Sequence, residues 1–177
     1  MVLIGGHPVL DFVNVAPASF DDLLRFAVAT GVAGRIEAKK LGGHHDAELQ
    51  RLRALRALLH DVFADGQPRP LDLDALAQAW SAAVGHARLR PARRGRVALT
   101  FDVAGAGAAV IRHRLIQRAI ELLTSDLLGS VGRCPSCGWL FLDTSKNHSR
   151  RWCSMQICGG SAKSRAYYRR RKGRASA

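Results

Sequence analysis

Four cysteines, all in the last third of the chain, constrain this sequence more than any other feature. They read Cys134-Pro135-Ser136-Cys137, a 15-residue spacer, Cys153, four residues, then Cys158. A Cys-x-x-Cys turn brings two sulfurs to one point, because its small loop aims backbone amides at them. A second pair returning after such a spacer completes four donors. That is the set a tetrahedral structural zinc takes, at about 2.3 Å for sulfur. Gly138, directly after the second cysteine, suits the tight turn. A redox Cys-x-x-Cys would sit in a thioredoxin-like βαβ pattern, and none surrounds it. The spacing therefore predicts one structural Zn2+ on Cys134, Cys137, Cys153 and Cys158.

The metal matters because a segment of roughly 45 residues cannot fold on apolar burial alone. Trp139, Phe141, Trp152, Met155 and Ile157 are the apolar residues available for a small core. Structural zinc contributes about 10–16 kcal/mol in finger peptides, and that energy is folding energy. A strand over 139–142 and a helix start near Cys153 and Cys158 give a treble-clef-like module over 131–177. A strong chelator is therefore expected to unfold residues 133–160 while the helical domain survives.

Charge divides the chain at the same place. The net charge is +13, and from Arg133 onward there are 11 Lys/Arg against a single acid, Asp143. Four thiolates around a divalent cation add only a net −2. Such a segment seeks polyanions, nucleic acid first. Arg150 and Arg151 precede the second cysteine pair, while Lys163, Arg165, Arg169, Arg170, Arg171 and Lys172 follow it, with Tyr167 and Tyr168 interleaved. Guanidinium groups grip phosphate in a bidentate fork, and aromatic rings stack on bases. These eight basic residues are the candidate nucleic-acid contacts.

Residues 1–130 have a normal globular balance and read as mostly helical. Ser19 and Asp22 form a capping-box pair opening a helix over 20–30. A short helix over 35–41 follows. Leu49, Leu52, Leu55, Leu59, Val62 and Phe63 recur at helical spacing after Asp46. Asp72 or Asp74 opens another helix, containing Trp80. Val97, Leu99, Phe101 and Val103 alternate as a strand, paired in a hairpin with 87–90. The longest helical pattern spans 108–128, and the glycines over 129–132 read as a hinge. The fold class is thus α+β: a mostly helical N-terminal domain with a small hairpin, then a zinc module.

The residues around the cysteines resemble the CGNR zinc finger family of bacterial proteins assigned to transcription regulation. Cys134, Cys137, Phe141, Asp143, Ser145, Asn147, Arg150, Arg151, Trp152, Cys153, Met155, Cys158, Gly159 and Lys163 match its pattern. Leu10-Asp11-Phe12-Val13-Asn14 resembles the motif that opens the N-terminal ABATE-like domain of that family, which makes Asp11 and Asn14 candidate ligand or structural residues. One departure stands out: Gly160-Ser161 replaces the Asn-Arg that gives the family its signature, so any contact those two side chains make in relatives is absent here. The resemblance implies a DNA-binding regulator, with DNA ahead of RNA as partner. Its N-terminal domain would sense a small-molecule effector or form a homodimer. The alternative is an RNA- or protein-interaction module built on the same zinc platform.

No Ser/His/Asp set, phosphate-binding glycine loop or paired carboxylates stand out, so no catalytic role is expected. His44-His45 reads as a lead-in to the helix at Asp46. There is no basic, apolar leader and no run of about 18 apolar residues, which places the expected site of action in the cytoplasm.

Overall fold

The first helix, α1 (Pro8–Val15), begins where His7 accepts a hydrogen bond from the Val9 amide and Pro8 fills the first helical position. Proline is suited there because that N–H has no helical partner. Val9, Leu10, Phe12 and Val13 are all buried, so α1 is a core helix. In the computed structural model, which describes residues 1–161 other than His44 and Asp65, together with Ser164, it packs on α4, α7 and β4.

The capping box at Ser19 and Asp22 starts α2 (Phe20–Ala29), and α3 (Arg35–Lys40) follows. The leucine stripe of α4 (Asp46–Ala64) turns Leu49, Leu52, Leu55, Leu59, Val62 and Phe63 into the core. α5 (Pro70–Val84) starts earlier than the aspartates suggested. Pro70 takes its first position, and Asp72 sits in the first turn, where it accepts from the Arg69 guanidinium at 2.6 and 2.9 Å. Strands β1 (Arg88–Pro91) and β2 (Val97–Thr100) pair antiparallel, Leu89 opposite Leu99. Phe101 and Val103 leave the strand: Phe101 is buried, and Val103 begins the short α6 (Val103–Ala106).

The long helix, α7 (Val110–Leu123), is shorter at both ends than the apolar pattern predicted. Its buried row is Ile111, Leu115, Ala119 and Leu122. Two of its arginines tie it to neighbours. Arg112 pairs with Glu48 of α4 at 2.6 Å, and Arg114 pairs with Glu37 of α3 at 2.6 Å while also donating to the Phe101 carbonyl. The expected glycine hinge is instead ordered structure. A 3-10 turn over Asp126–Ser130 runs directly into β3 (Val131–Arg133), which pairs antiparallel with β4 (Leu140–Leu142).

That second hairpin joins the two parts. Successive side chains of a strand point to opposite faces, and all three residues of β4 are buried. Leu140 and Leu142 enter the main core beside α1, whereas Phe141 packs with Cys134, Cys153 and Cys158. Gly132 makes room for it, since a Cβ there would lie 2.9 Å from the Phe141 ring. The segment 131–177 therefore starts at β3, and its β4 is built into the core of the helical segment. No helix among the described residues is long and apolar enough to cross a membrane.

Candidate metal centre

The β3–β4 turn carries Cys134 and Cys137. The Gly138 amide donates to the Cys134 carbonyl at 2.8 Å, and the Cys134 amide donates to the Trp139 carbonyl at 2.8 Å. Closing the turn so tightly requires a left-handed residue, and Gly138 supplies it at φ 78°. The second pair comes from a helical start. Ser154 caps a π-helical turn over Met155–Gly159 by accepting from the Ile157 amide, with Cys153 just before the cap and Cys158 inside the turn.

The ligand atoms of all four cysteines lie within 4.8 Å of one another. Cys137 Sγ is 3.5 Å from Cys153 Sγ, and Cys153 Sγ is 3.6 Å from Cys158 Sγ. A tetrahedron with zinc–sulfur bonds of about 2.3 Å has sulfur–sulfur edges of about 3.8 Å, whereas a disulfide needs about 2.05 Å. The sulfurs therefore stand at a metal-clamp spacing and not at a bonded one. Three of the cysteines are buried, and Cys137 is exposed at the tip.

Electrostatics point the same way. Burial pushes the Cys134 thiol up, but amides of Cys153, Ser136 and Cys137 outweigh it and bring the group to about 6. Cys153 is raised, by burial first and then by the three surrounding sulfurs. Four thiols this close cannot ionise together without a cation between them. The donor set fits zinc: soft sulfur ligands, tetrahedral spacing, amides supporting the charge. These residues would hold one structural Zn2+, as expected from their spacing.

Around the clamp the predicted basic residues separate. Arg150, one of the predicted phosphate contacts, is tied into the backbone around the clamp. Its Nε donates to the Trp152 carbonyl at 3.0 Å, Nη1 to Leu142 at 3.2 Å, and Nη2 to Ile4 at 3.2 Å and to Cys153. Its guanidinium also lies 4.7 Å over the Phe141 ring. A planar fork already bonded to four carbonyls has little left to offer a phosphate. Arg151 points outward and is exposed, its guanidinium 5.3 Å over the Trp152 ring. Lys163, Arg165, Arg169, Arg170, Arg171 and Lys172 lie outside the described residues. The expected core of the module is also smaller than predicted, because Met155 and Ile157 are about half exposed.

Asp11 and Asn14 are both hydrogen-bonded within the fold. Asp11 is buried and accepts from the Gly5 amide at 2.8 Å; burial holds its carboxyl above the usual range. Asn14 reaches from α1 to β4. Its Nδ2 donates to the Leu140 carbonyl at 2.8 Å, and its Oδ1 accepts from the Leu140 amide at 2.9 Å. Further joins come from the Leu142 amide to the Gly5 carbonyl at 2.7 Å and the Asp143 amide to the Ser130 carbonyl at 2.8 Å. Asp143 itself faces inward, accepting from the Ser145 and Arg150 amides at 2.8 Å each. His45, the described member of the histidine pair, bonds the Leu41 carbonyl and packs on Phe20. At the departure from the family signature, the Ser161 hydroxyl donates to the Ile157 carbonyl at 2.8 Å.

Fold and clamp together define a zinc-finger protein whose metal module is seated on a helical domain. The chain belongs to the ABATE family, described as a "putative stress-induced transcription regulator", whose model matches residues 6–126. The CGNR zinc finger model matches residues 131–171. Comparison with curated proteins gives no match.

Proposed function

We propose that this protein is a DNA-binding transcription regulator. The zinc module presents a basic surface to duplex DNA, and the helical domain senses a small ligand or forms a homodimer. One observation carries the reading. The segment from Arg133 onward has 11 Lys/Arg and one acid, and that acid, Asp143, is buried against backbone amides. The family descriptions support the same reading.

The metal holds shape and takes no part in chemistry, since four protein thiolates leave no open coordination position. Arg151, backed by Trp152, is the described side chain best placed to meet a phosphate. Its setting would be the bacterial cytoplasm, on the nucleoid.

The test is anisotropy with labelled random duplex, single-stranded DNA and structured RNA of equal length. Contact with about 5 phosphates predicts a log–log salt slope near −4 to −5 on duplex. Equal or tighter binding to structured RNA would favour an RNA-interaction module, and absence of salt-dependent duplex binding would defeat the proposal.

A further inference from the structure

Beside the C-terminal end of α1 lies a half-open cavity of about 300 Å³ between α1, α2 and α4. Phe12, Leu23, Leu49 and Leu52 give it an apolar body, and Arg53 and Arg56 give it a cationic edge. Arg53 donates to the Ala18 carbonyl at 3.0 Å. Arg56 is less satisfied: its Nε is screened from solvent and has no hydrogen-bond partner among the described residues. A guanidinium N–H screened from solvent without an acceptor is costly, and an anion in the cavity would complete it. Asp21 and Asp46 line the adjoining groove, which shares Arg53 with the cavity but does not include Arg56. An anion is therefore best anchored at the Arg56 end.

We infer that this cavity is a binding site for a small amphipathic carboxylate, its apolar body among the phenylalanine and leucines and its carboxylate on Arg56. The volume suits a small ligand, and apolar walls with a few convergent polar groups are the usual make-up of such sites. A carboxylate accepts from a guanidinium fork, which neither an alcohol nor an ammonium group can match. The site also touches the element that holds the metal module, since Phe12 and Ala16 line it and Asn14 between them bonds Leu140. The inference rests on the sensing half of the proposed function and not on DNA binding. Its test uses no nucleic acid, so the two can fail separately.

The zinc-loaded full chain is titrated calorimetrically with octanoate, 1-octanol and octylammonium, each to about 1 mM. Octanoate is expected to bind at least tenfold more tightly than the other two. Arg56→Gln should lower octanoate to the level of octanol without changing zinc content or helicity. Ala18→Trp, at the exposed mouth, should block all binding. Should Arg56→Gln fail to fold, the ligand series on the unaltered chain and Ala18→Trp decide. Equal binding of the three probes, binding of none, or octanoate binding untouched by both substitutions would overturn the assignment.

Discussion

Asn14 and Leu140 exchange two hydrogen bonds, so that a side-chain amide on α1 completes the outer edge of β4 as a neighbouring strand would. The amide offers one acceptor and one donor at the spacing of a peptide group. Asn14→Ala leaves both Leu140 groups without that partner, and an unpaired buried group costs about 1–3 kcal/mol. The expected result is a lower melting temperature with faster exchange of the Leu140 amide. Asn14→Asp should be worse near neutral pH than at acid pH, because a carboxylate facing the Leu140 carbonyl repels it until protonated. Wild-type stability in Asn14→Ala would show that the bridge is dispensable.

Because Leu140 and Leu142 sit in the helical core, metal removal should not be felt by the zinc module alone. Sequence reasoning predicts loss of residues 133–160 with the helical domain intact. The shared core predicts something broader: chelation removes the clamp, β4 loosens, and α1 loses a packing surface. Circular dichroism melts after exhaustive chelation should show the helical transition shifted down by several degrees, as expected for a loss of about 1–2 kcal/mol. Cys153→Ser should reproduce the shift without chelator. An unmoved helical transition would mean the module is only an appendage.

The metal site was legible from the chain because four like donors at short spacings fit little besides a metal clamp. The capping box at Ser19 and the leucine stripe of α4 were legible for a related reason: local periodicity decides local structure. What escaped was long-range. Nothing near Asn14 in sequence says that its partner is Leu140, 126 positions away. The carbonyl partners of Arg150 were not legible either, because a basic residue beside a zinc ligand looks alike in sequence whether it faces carbonyls or solvent. The glycines over 129–132 suggested a hinge, but Gly132 serves Phe141 packing instead.

Arg150 and Arg151 adjoin in sequence and should separate by substitution. Arg150→Lys keeps the charge but not the planar fork, leaving several carbonyls under-bonded. It is expected to reduce zinc retention and melt the module, with duplex affinity lost as a consequence. Arg151→Gln should leave zinc content and melting unchanged, weaken duplex binding uniformly across sequences, and lower the magnitude of the salt slope by about 1. Full rescue of zinc content by lysine at 150 would make that residue a simple charge. An unchanged slope for Arg151→Gln would remove it from the interface.

Acid sensitivity should trace in part to His113. The ring is buried in α7 against His86 and Phe101, with centroids 5.1 and 5.5 Å away. Burial, then the charges of Arg112 and His86, hold it down at about 4 from an ordinary 6.5, with Glu48 opposing. Between those two values the unfolded chain binds a proton that the folded chain refuses. Stability from this residue is therefore intact above about pH 6.5 and declines as pH falls toward 4, by about 3 kcal/mol. His7, also lowered by burial, adds with the same sign. Urea melts of wild type and His113→Phe at pH 7.5, 6, 5 and 4.5 isolate the effect, because acid loss of the metal is common to both proteins. The wild-type deficit should grow through that window while the variant's pH dependence flattens. Parallel curves would mean that His113 titrates alike in both states.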